Sequence, residues 1–371
     1  MSDSCAAVAL APEYVRAIAP YRAGKPISEV AREFGLDESR IVKLASNENP
    51  LGMPESARAA MLAAAGDLGR YPDPNGFELK ATLSRRLAIG QDWLTLGNGS
   101  NDILELVAHA MLQPGSSAVY SQYSFQVYEL ATQETGARAI VVPARDFGHD
   151  LPAMRAAIAA DTRVVFIANP NNPTGTFLAA SDIEAFLAAV PPQVVVVLDE
   201  AYNEYLAPEL RFDAVRWVER FPNLVLSRTF SKAYGLAGLR VGYAVAQPAL
   251  TDLLNRVRQP FNVNAIAQAA AVAALEDDAF LERSRSLNAQ GLAMLQRAFD
   301  AMGLRYVPSF GNFVLVEVGD AAAVNLALLK AGVIVRPVGN YGLPQWLRVT
   351  VGLPQENEAF LAALRGALGR A

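Results

Sequence analysis

One lysine stands alone in the middle of this chain. Of 371 residues, 27 are arginine and five are lysine, at positions 25, 43, 80, 232 and 330, so Lys232 has no lysine neighbour between 80 and 330. A chain-wide preference for arginine explains the other basic positions. Lys232 lies in Ser227-Arg228-Thr229-Phe230-Ser231-Lys232-Ala233-Tyr234-Gly235-Leu236-Ala237-Gly238-Leu239-Arg240, with hydroxyls one and three residues before it and an arginine eight after it. An amine beside apolar strand ends and close to a second cation loses its proton more readily and becomes a nucleophile. The plain alternative is an exposed loop lysine, against which the surrounding hydroxyls, glycines and arginine count.

Three further segments carry chemistry. Leu96-Gly97-Asn98-Gly99-Ser100-Asn101-Asp102 joins a strand to a helix and approaches a dinucleotide fingerprint, but Asp102 stands where the third glycine belongs. The following strand ends in Tyr120-Ser121-Gln122 without the acidic residue that such a site uses. What remains is a helix N-terminus whose N–H groups at Gly99, Ser100 and Asn101 suit one phosphate; an ordinary capped turn is the alternative. Asn169-Pro170-Asn171-Asn172-Pro173-Thr174-Gly175 follows an apolar strand as a rigid turn and offers Asn172 to a ligand. Val194-Val195-Val196-Val197-Leu198-Asp199-Glu200-Ala201-Tyr202 has the shape of a Walker B strand, yet none of the five lysines sits in the phosphate loop that a nucleotide hydrolase needs. Asp199 is left as a carboxylate at the base of a buried site, where low dielectric strengthens its pairing with a cation such as a protonated ring nitrogen.

Composition removes other chemistries. The single Cys5 allows no internal disulfide, and two histidines, His109 and His149, make a His/Cys metal cluster implausible and give no serine or cysteine hydrolase context. A net charge of −5 argues against nucleic acid or an anionic membrane as main partner. No apolar run reaches the ~18–20 residues of a membrane span. Met1–Pro12 lacks the basic start of a signal peptide, so a soluble cytoplasmic protein is expected.

The elements that must position these residues follow from hydrophobic periodicity. Strands are predicted at Trp93–Leu96, Ser117–Tyr120, Ala139–Val142, Arg163–Ala168, Val194–Leu198, Leu224–Leu226 and Arg240–Ala246. Helices fill Asn101–Leu112, Phe125–Thr135, Pro152–Ala160, Ala180–Ala189 and Asp213–Arg220. Valine runs without polar alternation predict strands covered on both faces, hence an α/β unit with a mainly parallel sheet whose functional residues gather past the strand carboxyl ends. After Pro260 the texture shifts to Ala-rich helix (Ala265–Leu275, then Phe280–Met302), followed by Asn312–Val318, Ala321–Ala331, Val333–Arg336, Trp346–Val351 and a helix from Glu356. This predicts an N-terminal arm over residues 1–42, a large domain over 43–260 and a smaller α+β domain over 261–371, to which the arm contributes.

Taken as a set, Asn172-Pro173-Thr174-Gly175, Asp199-Glu200-Ala201-Tyr202, Ser231-Lys232 and Arg240 resemble the pyridoxal-phosphate aminotransferases of fold type I, over almost the whole chain. Lys43-Leu44-Ala45-Ser46-Asn47-Glu48-Asn49-Pro50-Leu51-Gly52, Tyr71-Pro72-Asp73-Pro74 and Leu347-Arg348-Val349-Thr350-Val351-Gly352 are most similar to the histidinol-phosphate aminotransferases within that fold. The resemblance implies that Lys232 forms a Schiff base with pyridoxal 5'-phosphate and shuttles the proton. Asp199 would keep the pyridine nitrogen protonated. Asn172 and Tyr202 would hydrogen-bond the phenolic oxygen, and Tyr123 would stack on the ring. Gly99, Ser100, Asn101, Thr229, Ser231 and Arg240 would form the phosphate cup.

By the same resemblance Tyr71 would reach the neighbouring subunit's cofactor, which implies a homodimer with shared active sites. Tyr21, Arg336 and Arg348 would bind substrate, the arginines taking the phosphate of histidinol phosphate and, in the other half-reaction, the carboxylates of glutamate and 2-oxoglutarate. The implied activity is reversible transamination between a small-molecule amino donor and a 2-oxo acid, without metal. Aromatic amino acid transamination and decarboxylation of a phosphorylated amino acid are the alternatives on the same fold. A non-catalytic regulator is a further one, although the ~40 residues before Asn47 are too few for the helix-turn-helix unit that it needs.

Overall fold

The computed structural model describes residues 6–20 and 24–369. Strands, numbered in chain order, are β1 Val42–Lys43, β2 Leu94–Gly97, β3 Ser117–Ser121, β4 Arg138–Val142, β5 Thr162–Ala168, β6 Val195–Asp199, β7 Leu224–Thr229, β8 Gly242–Val245, β9 Tyr306–Val307, β10 Phe313–Glu317, β11 Val333–Ile334, β12 Arg336–Pro337 and β13 Trp346–Thr350. Seven of them form one sheet in the order β2-β8-β7-β6-β5-β3-β4. All its pairings are parallel except those of β8 with β2 and β7.

Side-chain alternation divides the valine-rich strands between two cores. Val196 and Leu198 of β6, with Val165 and Ile167 of β5, enter one cluster. Val195 and Val197, with Val164 and Phe166, enter the other, beneath the helix Ser100–Met111 and its buried Ile103, Leu104 and Val107. This period of two decides where the chemistry emerges. Asp199 continues the Val195–Val197 face, toward the N-terminus of that helix, and Glu200 turns to the opposite side.

Most strand limits of this sheet shift by one residue from the predicted ones, and two shift further for identifiable reasons. β7 runs on through Ser227, Arg228 and Thr229, because Thr229 still pairs with Gly242 and the Arg228 side chain is buried against Glu200. β8 starts only at Gly242, because Arg240 occupies the left-handed region at φ 55. The predicted strand Val333–Arg336 splits, β11 pairing with β1 and β12 with β13.

The remaining strands build a four-stranded antiparallel sheet, β12-β13-β10-β9, and the parallel pair β1-β11. Leu295, Phe299, Val314, Val316, Leu347, Val349 and Phe360 form their core. The helix Ile27–Phe34 packs Val30 and Ala31 against Leu329 and Ile334 of this part. The composition shift after Pro260 places the helix Ala265–Leu275 in the second unit, but its packing does not. Ala267, Ala270, Ala271, Ala274 and Leu275 are buried in the cluster of the seven-stranded sheet, beside Ala57, Leu79 and Leu83. An alanine face lets the helix lie close to its neighbours, and composition alone does not say which neighbours these are.

Candidate active site

The carboxyl ends of β5, β6 and β7 open into a cavity of about 410 Å³, within the usual size range of small-molecule sites. Lys232 lies half-buried at its floor, where Nζ donates to the Ser46 carbonyl at 3.1 Å and lies 5.9 Å from the Tyr202 ring centre. Burial pushes its ammonium down to about 7, helped by the guanidinium groups of Arg348 and Arg240 and opposed by Glu48 and Asp199. At neutral pH a large share of this amine is therefore unprotonated.

Asp199, at the end of β6, is buried, and both its oxygens are held. Oδ2 accepts from the Tyr128 hydroxyl at 2.9 Å and Oδ1 from the Ala201 N–H at 3.2 Å. Burial pushes the carboxyl up to about 6, while these two hydrogen bonds pull it back. A cation brought against it would draw it further down. Tyr202 accepts from Asn47 Nδ2 at 2.9 Å, and burial pushes its hydroxyl up to about 12, so it stays a hydrogen donor. Asn172 receives Arg348 Nη1 on Oδ1 at 2.6 Å, which leaves its Nδ2 hydrogens as donors. The turn that carries Asn172 is fastened by Asn171, whose Nδ2 donates to the Tyr123 carbonyl at 2.8 Å and to Thr174 Oγ1 at 2.7 Å.

One end of the cavity is built for an anion. The helix Ser100–Met111 begins at Gly99, φ 80, with no side chain capping it, so its first N–H groups face the pocket at Ser100 and Asn101. A Cβ on Gly99 would stand 2.5 Å from the Arg240 guanidinium, and one on Gly242 would stand 2.7 Å from the Ser100 nitrogen. Glycine at both positions lets backbone and arginine close around one small space. Arg240 Nη1 donates to Ser231 Oγ at 3.1 Å, and Thr229 Oγ1 accepts from the Ser231 N–H at 3.1 Å. At the other end stand Arg336 and Arg348, the latter buried and donating through Nη2 to the Ala45 carbonyl at 2.8 Å.

Most of the expected site residues thus meet in one cavity: Ser100, Asn101, Asn172, Asp199, Tyr202, Thr229, Ser231, Lys232, Arg240, Arg336 and Arg348, with Gly99 directly behind. Tyr123 does not line it. Its φ of 49 turns the side chain toward Val338, Leu343 and Trp346, and Phe125, two residues on, lines the pocket instead. Tyr71 lies outside this cavity, 81% exposed and stacked on Phe261 at 4.6 Å. Tyr21 lies outside the described residues. The spacing of residues did not reveal Tyr128 or Asn47, which act on Asp199 and Tyr202, nor Lys43 and Tyr341 in the cavity wall.

A sheet with its amine, carboxylate and phosphate-sized cradle at the strand ends defines a class. The aminotransferase class I and II family model matches residues 39–364, and the chain belongs to that family. It is 72% identical over 365 residues to histidinol-phosphate aminotransferase 1 of Cupriavidus pinatubonensis, covering 97% of each chain. It is 69% identical over 364 residues to histidinol-phosphate aminotransferase 2 of Ralstonia nicotianae, again covering 97% of each. Among solved structures, histidinol-phosphate aminotransferase from Sinorhizobium meliloti in complex with pyridoxal-5'-phosphate superposes with a TM-score of 0.89 at 30% identity, over 96% of this chain and 97% of that one. No helix among the described residues is long and apolar enough to cross a membrane.

Proposed function

We propose that this chain transfers an amino group between histidinol phosphate and 2-oxoglutarate, with pyridoxal 5'-phosphate held on Lys232. The observation that carries this reading is an amine with a lowered proton affinity, set between two anion seats. The Gly99–Asn101 backbone and Arg240 form one seat, and Arg336 and Arg348 form the other. The donor set and the glycine-lined cradle fit the cofactor's phosphate. When bound, the cofactor supplies an aldehyde for the amine and a ring that accepts electrons from the substrate carbon.

The chain's own residues then have separate tasks. Asp199, held by Tyr128 and the Ala201 N–H, would keep a proton on the ring nitrogen. Asn172 and Tyr202 would donate to the ring oxygen, and Phe125 would take the ring-covering role expected of Tyr123. Lys232 Nζ would hold the cofactor and would carry the proton that the reaction moves. Arg336 and Arg348 bind the donor's phosphate in one half-reaction and carboxylate in the other, as planar forks suited to both anions.

A homodimer in the cytoplasm completes the reading. Leu62, Leu68, Tyr71, Phe77 and Phe261 are exposed on one protomer, the kind of apolar surface a partner covers. Tyr71, which lies outside its own cavity, would serve the partner's. The specificity test is kcat/KM over a panel of histidinol phosphate, phenylalanine, tyrosine and threonine phosphate. A clear advantage for histidinol phosphate is expected, and its absence would overturn the substrate assignment.

A further inference from the structure

The cavity wall carries far more positive than negative charge. Among the described residues Lys25, Lys43, Lys232, Arg240, Arg336 and Arg348 line it, against one carboxylate, that of Asp199. Lys232 and Arg240 belong to the cofactor end, and Arg336 and Arg348 already grip the substrate anion, so two lysines at that end have no task. They are not equivalent. The Lys25 ammonium is shared by two carboxylates of one helix, Glu29 at 3.9 Å and Glu33 closer still. Among the described residues Lys43 has one partner, Glu48 at 2.9 Å, which engages one of its three donor hydrogens.

The fold fixes which way Lys43 faces. β1 pairs in parallel with β11, with Lys43 opposite Ile334, and alternation puts Ile41, Lys43 and Ala45 on the face shared by Ile334 and Arg336. The joint burial of Ile41, Ala45 and Ile334 in one cluster confirms that face. Lys43 therefore lies on the same face as Arg336, in the wall of the same cavity and on a short, paired strand rather than a free loop, and its side chain is only 27% exposed.

We propose that Lys43 is a specificity-determining cation that favours the phosphate dianion of the amino donor over the single carboxylate that glutamate or 2-oxoglutarate places at the same end. The proposal rests on the assignment of a phosphorylated donor above. Coulomb attraction scales with ligand charge, so one added cation acts about twice as strongly, in free energy, on a dianion as on a monoanion. A phosphate monoester holds its second negative charge only above a pKa of about 6. The preference that Lys43 confers therefore fades as the solution is acidified through that value.

The test uses holoenzyme carrying Lys43→Met or Lys43→Arg, with an unchanged visible spectrum showing that the cofactor end is intact. At pH 8, Lys43→Met is expected to lower kcat/KM for histidinol phosphate about tenfold, mainly through KM, and for glutamate about threefold, the square root of that factor. The inhibition constant of inorganic phosphate rises in parallel with the first value. At pH 5.5 the two losses converge, and Lys43→Arg restores the pH 8 preference. Equal losses for both donors at pH 8, a loss in kcat alone, or no loss would overturn the proposal. If the wild-type enzyme itself shows no preference for histidinol phosphate, the substrate assignment fails instead, a separate result from the same measurements.

Discussion

Tyr128 donates its hydroxyl hydrogen to Asp199 Oδ2 at 2.9 Å, deep in the core beneath the cavity. The tyrosine lies on the helix Gln126–Glu134, the aspartate at the end of β6, and the bond opposes the burial that pushes Asp199 up to about 6. Replacing Tyr128 by phenylalanine keeps the ring stacked on Phe166 and removes only this donor. A hydrogen bond to a charged group is worth about 1.5–3 kcal/mol. Tyr128→Phe should therefore weaken cofactor binding roughly 10- to 100-fold. It should also move the acid-side fall of kcat/KM to higher pH, since Asp199 then gains its proton more easily. Cofactor titration and a pH profile check both; unchanged values would remove Tyr128 from the site.

Lys232 gives a second pH dependence of opposite origin. Only the neutral amine attacks an aldehyde, and burial brings its proton affinity from 10.5 down to about 7. The rate constant for uptake of pyridoxal phosphate by the free protein should rise as pH increases through about 7 and then level off. A rate still climbing toward pH 10 would mean an ordinary, solvated lysine. Absorbance stopped-flow over a series of buffers measures it.

Behind the strand ends, Arg228 donates from Nε to Glu200 Oε2 at 2.8 Å, with side chains only 10% and 1% exposed. These residues directly adjoin Thr229 and Asp199, so the pair ties the ends of β7 and β6 together. Removing one partner of a buried pair costs about 3–5 kcal/mol, whereas replacing both by apolar groups is close to neutral. Arg228→Met should lose about that much in urea unfolding, and adding Glu200→Met should recover most of it. Additive losses would show that the two residues act independently.

The architecture was legible in the sequence wherever burial on both faces left a mark. The run Val194–Leu198 shows a covered strand, and a carboxylate immediately after it must sit at the strand's end. Lys232 stood out in the sequence because arginine is preferred almost everywhere else, and the structure places it in the cavity wall. What was not legible depends on turns and distant contacts. An aromatic residue in the left-handed region, as at Tyr123, reverses the direction of its side chain, and neither periodicity nor composition encodes that. Asn47 meets Tyr202 across 155 residues and Arg348 meets Asn172 across 176, pairings that only the assembled sheet brings together. The helix Ala265–Leu275 was recognisable as a helix, while its partners were decided by which alanine faces could approach each other.

The most direct measurement is borohydride reduction of the protein after incubation with pyridoxal 5'-phosphate, followed by peptide mapping. The expected result is a coloured protein that bleaches on reduction and carries the pyridoxyl group on Lys232, with no uptake by Lys232→Arg. A colourless protein, or the group found on Lys25, Lys43, Lys80 or Lys330, would contradict the placement of the cofactor between the two anion seats.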